Sequence, residues 1–186
     1  MAVIRDANDF PERATARIFL ALWPDAKVRA GLAQYADAWA WPKGVARVRD
    51  AKLHLTLHFI GDVERQRLTE LQRQLALPFD PFCLRLGYPD LWPHGIAVAQ
   101  PHAIPEPLLH LQAELGGLLK ASALTPETRE FHPHVTLARR AHAAKPPAAC
   151  LDIHWQVNGY ALIESCFDAP RTYAILCRYS HNGVAT

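Results

Sequence analysis

The amino-acid sequence predicts an α+β fold with a bilobal, pseudo-twofold arrangement: two mainly antiparallel sheets, helices on their outer faces and a central groove. One observation is that strand-like runs and short turns alternate with stretches of helical periodicity along all 186 residues. Another is that His-Leu-Thr-Leu at 54–57 returns eighty positions later as His-Val-Thr-Leu at 134–137. Composition predicts only roughly 0.06 copies of His-x-Thr-Leu, so the pair indicates a duplicated unit.

The first half begins with an apolar strand at 17–23, which Pro24 ends. Asp25 is placed to cap a helix that extends to about residue 39. A short strand at 45–48 precedes the first motif strand, and Gly61 with Asp62 predicts a turn into a second helix. Leu68, Leu71 and Leu75 share a face of that helix, and Pro78 closes it.

The second half repeats this succession of elements. Strands are predicted at 81–87 and 95–100, followed by a helix at 105–122 with leucines at core-facing spacing. The second motif strand begins after Pro133, and two closing strands are predicted at 152–164 and 172–179. We therefore expect a polar leader at 1–14 and one bilobal domain at 15–186, a length at which a single chain can bury a sizeable core.

Composition and charge limit the classes of partner. The net charge is +2 with neutral histidines, too small for nonspecific wrapping of nucleic acid, so an anion would be bound locally. Charged residues precede any apolar run at the N-terminus, and no stretch approaches a membrane span. We expect a cytoplasmic monomer that does not bind membranes. The cysteines form no C-x-x-C pair and are expected to be buried free thiols: Cys83, Cys150, Cys166 and Cys177.

The two motifs carry the chemistry. With a period of two, His54, Thr56 and His58 leave one face of the first motif strand. The apolar residues that alternate with them leave the other face: Leu53, Leu55, Leu57 and Phe59. His134 and Thr136 share a face in the same way. Two imidazoles could carry protons near neutral pH, and two hydroxyls could donate hydrogen bonds, which suits the handling of a phosphate.

Together these segments resemble the two-histidine phosphoesterases, most closely the RNA 2′,3′-cyclic phosphodiesterases, also called 2′–5′ RNA ligases. The resemblance covers nearly the whole chain. Residues 17–22 are similar to the opening strand of the family, 54–61 to its first signature and 131–139 to its second. Residues 162–165 and 173–176 are similar to its closing hairpin.

The resemblance implies that a cyclic phosphodiester binds between the two His-x-Thr pairs, with no metal or other cofactor. It implies that His54 is the proton donor and His134 the proton acceptor, with a 2′-phosphate as product, although the residues alone leave open which histidine is the acid. Thr56, Thr136 and Arg139 would bind the phosphate. The implied partners are RNA with 2′,3′-cyclic phosphate ends and small cyclic nucleotides, and reversal of the reaction would make a 2′–5′ bond.

Three arginines compete for the cationic role. On a regular strand Arg139 would point away from His134 and Thr136, whereas Arg140 would point with them, unless a bulge reverses the alternation. Arg129, in the preceding loop, is the third candidate. The resemblance favours Arg139.

Two other functions remain open. Four histidines of the motif regions, His54, His58, His132 and His134, could hold a metal ion in a hydrolase. The missing carboxylates and the repeated threonine argue against that site. The chain could also be a non-catalytic nucleotide or RNA-binding module. Trp39, Trp41 or Trp92 could stack on a base, but packing is the more common use of tryptophan.

Overall fold

The computed structural model describes residues 14–127, 129–148, 152–166 and 172–186. Most of the predicted leader, residues 1–13, lies outside them. The helices and strands, in chain order, are β1 (Thr15–Leu22), α1 (Ala26–Asp37), β2 (Ala46–Arg47), β3 (Leu55–Glu64), α2 (Leu68–Gln74), β4 (Phe82–Trp92), β5 (Ile96–Pro101), α3 (Glu106–Ala121), β6 (Val135–Arg139), β7 (Ile153–Val157), β8 (Gly159–Cys166) and β9 (Thr172–Ser180).

The strands form a nine-stranded antiparallel sheet in the order β7-β4-β5-β6-β3-β1-β8-β9, with β2 beside β6. We call β3, β1, β8 and β9 the first half, and β2, β6, β5, β4 and β7 the second half. The two motif strands, β3 and β6, connect the halves through one residue pair, Leu55 with Val135. The predicted α+β class and antiparallel pairing are confirmed, and the two expected sheets are joined at this pair.

The two halves are related by their connectivity. In the first half, α1 links β1 to the motif strand β3 beside it; in the second, α3 links β5 to the motif strand β6 beside it. Each helix packs against the opposite half. The buried Tyr35 hydroxyl of α1 donates to the Gly87 carbonyl of β4 at 2.8 Å, and Gly116 of α3 faces His58 of β3. One hydrophobic core therefore runs through both halves.

The start of α1 follows from its sequence. The Asp25 carboxylate accepts a hydrogen bond from the Val28 amide at 2.8 Å, which satisfies one of the unpaired amides of the first turn. Val28, Leu32 and Tyr35 are buried along one face of the helix. The predicted cap and core face are confirmed.

The predicted turn at Gly61 and Asp62 is wrong. Strand β3 continues to Glu64, and both residues pair with β1. The register with β1 shifts just before Gly61, which has a φ of +90°, a conformation that glycine adopts without strain. The glycine thus serves an irregularity inside a strand.

The predicted strand at 152–164 is two strands. Strand β7 pairs with β4 of the second half, whereas β8 pairs with β1 of the first half, so the chain crosses between the halves at Asn158. Gly159 permits this crossing, because a Cβ at this position would lie 2.5 Å from the Tyr179 carbonyl oxygen.

The prediction of buried thiols is right for Cys166 and Cys177, which are free and buried. It is wrong for Cys83, which is exposed because alternate residues of β4 face outward. Cys150 lies outside the described residues. No helix in the described part of the chain has the length and apolar character needed to cross a membrane.

The bond from Tyr35 to the opposite half gives a stability prediction. Tyr35→Phe removes the donor to a buried carbonyl, so we expect the free energy of unfolding to fall by about 1–3 kcal/mol. Tyr88 is 53% exposed, and Tyr88→Phe should change it by less than about 0.5 kcal/mol. Urea denaturation of both variants measures the difference, and equal effects would contradict the proposed connection between α1 and β4.

Candidate active site

The pairing of Leu55 with Val135 brings the two motifs together. One residue to either side of this pair, the antiparallel register brings His54 toward Thr136 and Thr56 toward His134. Leu55 and Val135 are fully buried, so the four polar side chains leave the opposite face of the sheet. All four line one groove with a volume of about 600 Å³.

A bulge lies at the last residue of the first motif. Consecutive residues of β1 pair with Thr56 and His58, so Leu57 is the extra residue. An extra residue reverses the alternation of faces beyond it. Phe59 consequently lines the groove, whereas His58 is turned into the core.

The second motif has a bulge at the equivalent position. Consecutive residues of β5 pair with Thr136 and Ala138, so Leu137 is the extra residue. Arg139 therefore lines the groove beside His134 and Thr136, although regular alternation would have turned it away. The bulge that turns Arg139 toward His134 and Thr136 is therefore present. Arg139 and Phe59 occupy equivalent positions in the two halves.

The other candidate arginines lie elsewhere. Arg140 follows the end of β6 with a φ of +56°, is exposed and does not line the groove. Arg129 is exposed and forms an ion pair with Glu127. Of the three arginines, the structure brings only Arg139 to the two motifs.

His58 does not share the face of His54, and that prediction is wrong. Its Nε2 lies 2.7 Å from the Gln112 carbonyl of α3, in a position that Gly116 leaves open. Burial lowers the pKa of His58, which favours the neutral ring. The four-histidine metal site does not form, because His58 lies behind the strand and His132 lies in the solvent beside Glu130. Among the described residues, no group of three or more histidines, cysteines or carboxylates could hold a metal ion.

His54 is fixed by its neighbours. Its Nδ1 lies 2.6 Å from the Lys52 carbonyl, and because a carbonyl only accepts, Nδ1–H donates and Nε2 is left for a ligand. The ring stacks on Trp23 at 5.6 Å and contacts Phe19 and Tyr173. The pKa of His54 is lowered to about 4, mainly by burial. The hydrogen bond to the Lys52 carbonyl opposes this shift, and positive charge on His134, Arg139 and Lys52 adds to it.

His134 repeats the arrangement in the second half. Its Nδ1 lies 2.7 Å from the His132 carbonyl, again two residues before the ring, so Nδ1–H donates to that carbonyl. The ring contacts Trp92, with 4.3 Å between centroids. Burial lowers the pKa of His134, and the charge on Arg139 acts in the same direction.

The groove is cationic. Arg47, Arg49, Lys52 and Arg139 are among its lining residues, and none of the lining residues in the described part of the chain is a carboxylate. This agrees with a local anion site in a chain of small net charge.

Sequence reasoning missed the aromatic residues around His54. Phe19 lies in β1, Trp23 follows that strand and Tyr173 lies in β9. Nothing in their local sequence points to the motif. The tryptophans that the sequence did offer as base-stacking candidates do not line the groove. Trp39 and Trp41 stack on each other at 5.1 Å, and Trp92 packs against His134.

Comparisons of sequence and of structure with known proteins point to the same family. The family model of the 2′–5′ RNA ligase superfamily matches residues 15–165. The RNA 2′,3′-cyclic phosphodiesterase of Thermus thermophilus is 30% identical over 183 residues, which cover 90% of this chain and 91% of the relative. The protein of the same name from Escherichia coli is 28% identical over 171 residues, 88% of this chain and 96% of the relative. The structure of E. coli LigT complexed with 3′-AMP superposes with a TM-score of 0.81 at 25% identity, covering 89% of this chain and 98% of LigT.

The depressed pKa of His54 predicts acid sensitivity. The ring has a pKa of about 4 in the folded chain and about 6.5 when unfolded, so as pH falls the unfolded chain binds this proton first. The contribution of His54 to the free energy of unfolding is therefore full above about pH 6.5 and decreases as pH falls toward about 4.

His54→Gln should make this decrease shallower, as measured by urea denaturation at several pH values from 7 to 4. His110→Gln, which makes the same change on the exposed side of α3, is the control and should keep the wild-type dependence. An unchanged slope in His54→Gln would contradict the account of the ring as a buried neutral group.

Proposed function

Because this chain belongs to the 2′–5′ RNA ligase superfamily, we propose that it hydrolyses 2′,3′-cyclic phosphodiesters at RNA ends or in nucleotides to 2′-phosphates by two-histidine acid–base catalysis without a metal ion. The observation that carries the proposal is that both His-x-Thr motifs line one cationic groove. Each motif supplies a ring whose Nδ1 is already engaged by a carbonyl and whose Nε2 is available.

The proposed step needs one proton acceptor and one proton donor. His134 Nε2 takes a proton from water as the water oxygen bonds to phosphorus. The bond from phosphorus to the ribose 3′ oxygen breaks, and His54 Nε2 gives its proton to that oxygen. The 2′ ester bond is retained, so the product is a 2′-phosphate, and the proton gained by His134 replaces the one lost by His54 through solvent.

The remaining residues would stabilise charge on the phosphate. The hydroxyls of Thr56 and Thr136, which line the groove, would donate to its non-bridging oxygens, and the Arg139 guanidinium would add a positive charge. Donors fixed in advance around a developing charge commonly provide much of the catalytic effect. The register that brings each threonine toward the histidine of the other motif suits one phosphorus between them.

The depressed pKa values bear on the roles of the rings. Burial lowers the pKa of both His54 and His134, which suits a proton acceptor but opposes a donor. A phosphodiester bound beside the rings carries a negative charge, which raises the pKa of a nearby imidazole. We assign His54 as donor and His134 as acceptor on the resemblance to the family. The bound anion would raise the pKa of His54 and so allow this ring to hold its proton.

The proposed substrates are RNA with 2′,3′-cyclic phosphate ends and small cyclic nucleotides. The groove opens on a surface with Arg47 and Arg49, which suits a nucleic-acid anion. The LigT relative binds 3′-AMP in its solved structure. In the reverse direction the same step would join a 2′,3′-cyclic end to a 5′-hydroxyl, and water would make this the minor activity. The cytoplasmic location and monomeric state stay predictions.

Alanine at either histidine tests the mechanism. With excess chelator, the intact protein should convert a short RNA ending in a 2′,3′-cyclic phosphate to the 2′-phosphate. His54→Ala and His134→Ala should each lower kcat by about 10²–10⁴-fold, because each removes one proton-transfer group. Chromatography that separates 2′- from 3′-phosphate ends measures both rate and product.

His102→Ala is the matched control, since His102 is exposed in the loop after β5 and outside the groove. Loss of activity in the chelator would indicate a metal-dependent hydrolase. Tight binding of the RNA without turnover would indicate the binding module instead, and either result would contradict the proposal.

Neighbouring arginines provide a second test. Arg139→Met removes the cation that lines the groove and should lower kcat/KM by about a hundredfold, as expected for loss of a charge-stabilising donor. Arg140→Met, one residue further along and outside the groove, should stay within about twofold of wild type. Steady-state kinetics of both variants on the cyclic-phosphate RNA decides, and a larger defect in Arg140→Met would overturn the placement of Arg139.

A further inference from the structure

We propose that Lys52 is a second phosphate-binding cation, which contacts a non-bridging oxygen of the substrate from the side of the first motif, opposite Arg139. This inference rests on the proposed function. It adds a substrate-binding residue that precedes the first motif and lies outside both His-x-Thr repeats.

The backbone of Lys52 is tied to His54. Lys52 closes a short 3-10 turn over Asp50–Lys52, in which its amide donates to the Arg49 carbonyl at 2.8 Å. Its own carbonyl accepts the His54 Nδ1–H at 2.6 Å. The position from which the Lys52 side chain leaves the chain is therefore fixed relative to the imidazole.

The side chain extends into the groove. Its Nζ lies 4.6 Å from the centroid of the Tyr173 ring, over the face of that ring. The same Tyr173 ring meets the His54 ring at 85° with 5.5 Å between centroids. A cation over an aromatic face is attracted by the ring, so Tyr173 holds the ammonium at the groove wall next to His54.

The charges around the groove favour an anion between Lys52 and Arg139. Lys52 comes from the segment before β3, whereas Arg139 ends β6, so the two cations enter from different halves. None of the lining residues in the described ranges is a carboxylate. A phosphate held by both motifs would meet one cation from each half, and ammonium-to-phosphate hydrogen bonds are among the stronger ones.

Lys52 and Arg47 both line the groove but have different neighbours. The Arg47 guanidinium forms an ion pair with Asp37 of α1 and lies 5.9 Å from the Trp41 ring. Lys52 lies over Tyr173, a ring that contacts His54, which places its charge beside the first motif. The field of Lys52 also reaches His54, because its charge contributes to lowering the pKa of that imidazole.

The test compares Lys52→Met, which keeps a long side chain over Tyr173 but removes the charge, with Lys52→Arg, which keeps the charge. Lys120→Met, on an exposed position of α3, is the control for the same chemical change. Hydrolysis of 2′,3′-cyclic AMP gives KM and kcat, and calorimetry gives the Kd of 2′-AMP.

We expect Lys52→Met to raise both KM and Kd by about tenfold or more and to change kcat less. Lys52→Arg should recover most of the affinity, and Lys120→Met should match wild type.

Nuclear magnetic resonance titration of the His54 ring separates a charge effect from a structural one. Among the described residues, the charged and titratable groups that act on or contact His54 are Lys52, His134, Arg139 and Tyr173. Removing the positive charge of Lys52 raises the pKa of His54, so its titration should move to higher pH in Lys52→Met and stay near wild type in Lys52→Arg. If Lys52→Met does not fold, Lys52→Gln makes the same loss of charge.

Wild-type affinity for 2′-AMP in Lys52→Met would overturn the inference. So would weak binding in both Lys52 variants with an unchanged His54 titration, because that pattern indicates a structural role. A wild-type protein that binds 2′-AMP but does not hydrolyse the cyclic nucleotide would count against the proposed function, and the binding series would still decide the role of Lys52.

Discussion

The pairing of Leu55 with Val135 is the contact on which the functional arrangement depends. It is the one residue pair through which the ladders of β3 and β6 join the two halves of the sheet. Both side chains are fully buried, which fixes the face that they leave and therefore the face that their polar neighbours leave. A slip of one residue in either strand would turn the motif of that strand into the core. The helices oppose such a slip, because α1 and α3 each pack against the half opposite to the one they connect.

Much of this could be predicted from the sequence, because the signals were local or repeated. Asp25, the leucine spacings and the two motifs each carry their own evidence, and the repeat implies that the motif strands meet. The bulges at Leu57 and Leu137 could not be predicted, since an alternating pattern does not show which residue the neighbouring strand skips. For this reason the sequence pattern put His58 on the wrong face of its strand. It also pointed Arg139 away from the groove, and only the resemblance to the family favoured Arg139.

The groove combines an apolar environment for the two histidines with positive charge for the phosphate. The histidines are held in a mostly apolar setting by Trp23, Phe19, Tyr173 and Trp92, and this setting lowers their pKa values. The cations line the same groove and would attract an anion, whose negative charge raises the pKa of a nearby imidazole. The neutral rings can accept a proton, and the negative charge of the substrate would favour a protonated ring. This arrangement is consistent with a reaction that begins when the phosphate is bound.

The central claim is that both motifs act on one phosphorus, and a crystal structure of the protein with 2′-AMP tests it most directly. If both motifs do so, the complex contains a single phosphate whose oxygens lie within hydrogen-bonding distance of the Nε2 atoms of His54 and His134 and of the Thr56 and Thr136 hydroxyls. A phosphate that contacts one motif only, or that binds away from the groove, would contradict the account.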